Sequence, residues 1–121
     1  MTPQEEYQQL AEKLDKLVEV RQKLQIQFNE NNQVKEEFSK LTPNNTVYKM
    51  VGPALVEQSQ QESKLNVDKR IEFIQSEIDR TESEIKAAQQ KVQSLQQAIT
   101  KQQQAQVEAA EKAQAPPPPA S

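Results

Sequence analysis

The stretch TVYKMVGPALVEQ, Thr46 to Gln58, decides how the rest of the chain is read. Gly52, the only glycine of the protein, is followed by Pro53. Strand formers stand on each side: Thr46, Val47, Tyr48 and Val51 before, Leu55 and Val56 after. A Gly-Pro pair between two such runs predicts a β-hairpin turn. With Val51 opposite Ala54, alternation puts Tyr48, Met50 and Leu55 on one face and Val47, Val51, Ala54 and Val56 on the other. Both faces are mainly apolar. A lone two-stranded hairpin is marginal in water, and apolar open edges invite other strands. This hairpin wants partners.

Before the hairpin, Thr2-Pro3-Gln4-Glu5 reads as a helix start, with Thr2 as cap, Pro3 at the first helical position and Glu5 completing a capping box. Apolar residues then recur in steps of three and four. Tyr7, Leu14, Arg21, Phe28 and Lys35 take the a positions of a heptad repeat, and Leu10, Leu17, Leu24, Asn31 and Phe38 the d positions. That is a coiled-coil seam. Arg21, Asn31 and Lys35 interrupt it, as polar seam residues that fix register or partner choice do. Val34 and Leu41 predict a slip of phase after Phe28. Glu12–Lys16, Glu19–Lys23 and Glu36–Lys40 are spaced for i,i+4 ion pairs. Pro43 stops the helix, because the residue before a proline avoids the α region.

After the hairpin, Ser59-Gln60-Gln61-Glu62 is a second capping box. The second seam is more regular. Its a positions are Ile71, Ile78, Ile85, Val92 and Ile99, and its d positions are Val67, Ile74, Thr81, Ala88 and Leu95. Phe73 lies beside the seam, placed to face a neighbouring subunit. Neither arm contains an internal proline or glycine, which supports two uninterrupted helices. Past Ile99 the apolar stripe fades while helix propensity persists, and PPPPAS is polyproline-like. The expected fold is mainly α, an antiparallel two-helix coiled coil with a central β-hairpin at the turn end. It forms one domain, 1–113, with helix 3–42, hairpin 46–58 and helix 60–113, and a disordered Pro-rich tail over 114–121. An antiparallel pairing in which residue numbers sum to about 105 sets Tyr7 beside Ala98.

Composition agrees with long helices rather than a large core. Of 121 residues only 34% are hydrophobic and 4% aromatic, while 27% are charged with a net charge of -3. That is too apolar-poor for a globular core. Without a basic excess, nucleic acid is not an expected partner. No apolar run is long enough to span a bilayer and the start lacks a signal-peptide segment, so no membrane partner is expected. The absence of cysteine removes any disulfide framework, and the default compartment is the cytoplasm. The chain contains neither His nor Cys. The usual zinc ligands and thiol nucleophiles are therefore missing, serines lack a histidine to activate them, and one glycine cannot build a phosphate loop. Adjacent carboxylates such as Glu5–Glu6 and Glu36–Glu37 point apart on a helix. No enzymatic activity and no cofactor are expected.

At this point the chain resembles a known family. Helix, central hairpin and helix is the plan of a β-type prefoldin subunit. The motifs RQKL (21–24), ENNQVKEEF (30–38), VYKMVGPALVEQ (47–58), VDKRIEFI (67–74) and EIDRTES (77–83) look like that family. The likeness covers residues 7 to 85, and its specificity comes from the hairpin and VDKRIEFI occurring together in that order. An α-type subunit would carry two hairpins, and this chain has room for one.

The resemblance implies a subunit of a cytosolic heterohexamer, a co-chaperone of two α-type and four β-type subunits. Their hairpins join in a double β-barrel base from which coiled-coil tentacles project. It implies ATP-independent capture of unfolded proteins such as actin and tubulin, and their transfer to the cytosolic chaperonin. Carried over by position, Val47, Tyr48, Met50, Val51, Leu55 and Val56 would serve subunit assembly. Tyr7, Leu10, Leu14, Val92, Leu95 and Ile99 would present apolar surface to a client. The alternative is a structural or tethering coiled coil with the middle stretch as a linker, and the apolar VYKMVGPALV argues against it. A membrane-surface helix is the weaker rival, since neither arm has a strongly basic polar face.

Overall fold

The computed structural model describes residues 1–114. Two helices flank a two-stranded hairpin: α1, Pro3–Ser39; β1, Val47–Val51; β2, Ala54–Gln58; and α2, Gln60–Gln114. Both expected caps form. The Glu5 amide donates to Thr2 Oγ1 at 3.2 Å and the Glu62 amide to Ser59 Oγ at 3.1 Å, each satisfying an otherwise orphaned first-turn N–H. Of the predicted 114–121 tail, Gln114 closes α2 and the rest lies outside the described residues.

The chain forms two compact units. One is Leu17–Glu84, which holds the hairpin; the other joins Met1–Lys16 with the segment from Ile85 onward. In the hairpin unit, Val67, Ile74 and Ile78 of α2 are buried, and Leu17, Leu24, Phe28 and Phe38 of α1 are half-buried. The pairs Arg21–Glu82 and Lys35–Asp68 cross between the helices. The same number of residues forward along α1 is matched by a step back along α2, so the helices are antiparallel here. In the second unit Ala88 is buried, and Tyr7, Leu10, Leu14, Ile85, Val92, Leu95 and Ile99 are half-buried. Gln96 Nε2 donates to the Tyr7 hydroxyl at 3.2 Å and Gln4 Nε2 to Gln102 Oε1 at 3.2 Å, again antiparallel. Tyr7 thus meets a residue two positions from the expected Ala98.

Three local expectations are corrected. α1 ends at Ser39 and not at residue 42. There the Lys40 and Leu41 amides turn back to the Glu37 and Phe38 carbonyls, three residues away, while the Ser39 hydroxyl donates to the Glu36 carbonyl. These contacts tighten the last turn and close the helix before Pro43 can stop it. The phase slip does not occur: Val34 is 43% exposed, and Phe38 keeps its seam position. Of the anticipated i,i+4 ion pairs, Glu19–Lys23 stands at 4.0 Å, and Lys40 turns to Glu37 at 3.3 Å instead of to Glu36.

Candidate functional site: an uncovered hairpin

The hairpin pairs as the alternation requires, with Val51 opposite Ala54, Met50 opposite Leu55, Lys49 opposite Val56, Tyr48 opposite Glu57 and Val47 opposite Gln58. Gly52 adopts φ +58, and no atom lies within 4 Å of the position its Cβ would take. Positive φ at the first turn residue, with proline next at its fixed φ of about −65°, meets the needs of a type II′ turn. Its twist matches the right-handed twist of the strands it joins.

The base of the hairpin is clamped to the helices. Gln60 Nε2 donates to the carbonyls of Thr42 (2.8 Å) and Asn45 (2.7 Å), and Asn45 Oδ1 accepts from the Thr42 amide at 2.8 Å. Ser63, buried on α2, donates through Oγ to Gln58 Oε1 at 3.1 Å, tying the end of β2 to the first turn of the helix. Sequence reasoning passed over Ser63. The signal was a place four residues before Val67 on the same helix stripe.

Beyond the clamp the hairpin is bare. Met50 is 72% exposed and Leu55 65%, with Tyr48, Val51 and Val56 also exposed; Val47 alone among the six expected assembly residues is half-buried. Tyr48, Met50 and Leu55 share one face of the sheet and Val51 and Val56 the other, so both faces offer exposed apolar surface of the kind that marks an interaction site. Both outer edges present unpaired N–H and C=O groups to any strand placed alongside. Among the described residues no helix is long and apolar enough to cross a membrane.

The six expected client residues, Tyr7, Leu10, Leu14, Val92, Leu95 and Ile99, all fall in the second unit and are all half-buried. They stand on the facing stripes of the two helices, and each keeps part of its apolar surface in water. Val107, further along α2, is exposed and no longer shares a stripe with α1.

Two helices with one uncovered hairpin between them define a prefoldin-type subunit, and the comparison agrees: the family model described as "Prefoldin subunit" matches residues 2–106, and the chain belongs to that family. Within it, the chain is similar to prefoldin subunit 6 of Saccharomyces cerevisiae, 47% identical over 61% of this chain and 65% of that protein. It is equally similar to prefoldin subunit 6 of Homo sapiens, 47% identical over 63% of this chain and 59% of that one. The aligned part spans less than two thirds of these curated relatives. The crystal structure of the prefoldin beta subunit from Thermococcus strain KS-1 superposes with a TM-score of 0.75 at 21% identity, covering 95% of this chain and 91% of that one. The beta2 subunit from the same strain gives 0.65 at 16% identity, with coverage of 77% and 99%. These two establish the fold.

Proposed function

We propose that this chain is a β-type subunit of a hexameric prefoldin co-chaperone, working in the cytoplasm with two α-type and three further β-type subunits. The observation that carries the reading is the bare apolar hairpin, whose edges and faces would be completed by strands of neighbouring subunits. The protein performs no reaction and uses no ATP. It holds unfolded clients, actin and tubulin in the first place, for transfer to the cytosolic chaperonin.

Client capture is assigned to Tyr7, Leu10, Leu14, Val92, Leu95 and Ile99. Burying a few hundred Å² of client at about 25 cal/mol per Å² contributes several kcal/mol gross, before the cost of association. A single contact is therefore weak, and several subunits acting on one client supply avidity. Weak contacts suit a protein that must release what it holds.

Native mass spectrometry after co-expression with candidate partner subunits tests the assembly. A hexamer containing one copy of this chain is expected, and Val47→Asp with Val56→Asp should exclude the chain from it. A monodisperse wild-type monomer at micromolar concentration, or normal entry of the double variant, would refute the reading.

A further inference from the structure

Between Ser39, where α1 ends, and Val47, where β1 begins, the chain turns through Thr42-Pro43-Asn44-Asn45. Pro43 takes the second position of a β-turn closed by the Asn45 amide, which donates to the Thr42 carbonyl at 3.0 Å. The Asn45 side chain braces that turn. Its Oδ1 accepts from the Thr42 amide at 2.8 Å and from the Thr42 hydroxyl at 3.1 Å.

Gln60 reaches this braced turn from the other side of the hairpin. It is the first residue of α2, and its Nε2 donates to the Thr42 carbonyl at 2.8 Å and to the Asn45 carbonyl at 2.7 Å. Both hydrogens of the carboxamide are thereby used, one for each end of the turn. The chain enters the hairpin through Asn45 and leaves it through Gln58, so one side chain ties the entry to the exit. Ser63 fixes the exit strand alone, through Gln58. Every residue from Tyr48 to Glu57 is exposed, so no packing against a helix holds the direction of the hairpin's body.

We infer that Gln60 is a positioning residue for assembly: by donating to both carbonyls it aims the hairpin in one direction from the helices, ready to meet neighbouring strands. The inference rests on the assembly reading above and adds to it a side chain outside the strands. An exposed hairpin held only through its covalent ends would sample many directions, and that freedom would be lost on association. Two carbonyl oxygens converge on one point, so the site demands a donor. Gln60 supplies it at a helix start, where its own backbone amide makes no helical bond and where a carboxylate is also well tolerated.

The discriminating variant is therefore Gln60→Glu, equal in size, favourable at a helix start and unable to donate. The chain has no native cysteine, so spin labels placed at Ala54→Cys and Leu65→Cys, both exposed positions, read the direction of the hairpin relative to α2. In an excess of unlabelled chain, one narrow distance is expected with Gln60 and a broad distribution with Gln60→Glu. Helicity and the amide protection of β1 and β2 should not change. In the complex assembled with partner subunits, the yield of Gln60→Glu at limiting concentration should fall about tenfold. Asn45→Asp adds the same charge at the same turn but keeps the accepting oxygen, and should assemble as wild type. Gln60→Lys, which restores a donor, should recover most of the loss. Wild-type yield in Gln60→Glu overturns the inference, as does an unbroadened distance, an equal loss in Asn45→Asp or no recovery in Gln60→Lys. Lost hairpin protection in Gln60→Glu also overturns it, since the side chain would then hold the fold and not its direction. A wild-type chain that keeps the narrow distance yet enters no complex overturns the assembly reading on which the inference rests.

Discussion

Arg21 and Glu82 meet through one oxygen: Nη2 of the arginine lies 2.7 Å and Nε 3.1 Å from Glu82 Oε1. Arg21 holds an a position where a leucine would pack, yet its charged end reaches the edge of the seam and finds a partner on the other helix. An ion pair open to water contributes little stability, about 0–1 kcal/mol, because solvent screens it and ordering two long side chains costs entropy. Its value lies in register, since a slip of one helix past the other would separate the two groups. A double-mutant cycle with Arg21→Ala and Glu82→Ala should give a coupling below about 1 kcal/mol. Arg21→Leu should raise the melting temperature of the helical pair. A coupling of several kcal/mol, or a large loss of stability in Arg21→Leu, would contradict this account.

Ile78 and Thr81, adjacent on the buried stripe of α2, should respond in opposite ways. Ile78 is 4% exposed, and Ile78→Ala removes its apolar contacts and leaves a cavity, a loss of about 2–4 kcal/mol. Thr81, 3% exposed, donates its hydroxyl to the Glu77 carbonyl of its own helix at 2.8 Å. Thr81→Val removes donor and acceptor capacity together without stranding a partner, since that carbonyl keeps its backbone bond. It should change stability by less than about 1 kcal/mol. Thermal unfolding followed by circular dichroism measures both. Equal losses would show that the stripe is not packed as described.

Gly52 sets the hairpin turn through its backbone and not through space. With open room where a Cβ would sit, Gly52→Ala meets no clash, but it must hold alanine at φ +58. That conformation costs an L-residue about 1–2 kcal/mol. The variant should keep its helices and lose hairpin order, seen as weaker amide protection in β1 and β2 before any change in helical signal. Gly52→Asn, which tolerates positive φ better, should recover part of it. Equal protection in Gly52→Ala and wild type would remove the turn from the argument.

Much of this was legible because the strongest signals are local or periodic. A Gly-Pro pair between apolar runs admits few conformations, and seam positions from Tyr7 to Ile99 follow from spacing alone. The end of α1 was not legible, because the Ser39 hydroxyl bonds back to the Glu36 carbonyl and the Lys40 and Leu41 amides turn to carbonyls three residues away, contacts that compete with the proline signal. Val34 misled for a related reason: a valine one position from the stripe reads as core, and only Phe38 holding its place shows that the register continues. Ser63 was hidden by its polarity, since a buried serine is tolerated only when a partner such as Gln58 satisfies it. The groove that Val34, Phe38, Leu41 and Val47 line depends on how a helix end meets a strand, which no periodicity encodes.

The residues proposed for client capture belong to a different unit from the hairpin, so they should govern capture without governing assembly. Tyr7, Leu10 and Ile99 are half-buried, and each contributes both to the packing of the helix ends and to the apolar surface left in water. Tyr7→Ser, Leu10→Ser and Ile99→Ser together remove that surface. The Tyr7 change also removes the hydroxyl that accepts from Gln96, so local fraying of the two helix ends is expected with the hairpin unit intact. The altered chain should enter the complex at wild-type yield by native mass spectrometry. In light scattering of a diluted unfolded client, suppression should then require more complex. The deficit should deepen as matching positions of the other subunits are changed, since one subunit among several supplies only part of the avidity. If an intact complex with all such positions altered protects the client as well as wild type, capture resides elsewhere on the protein.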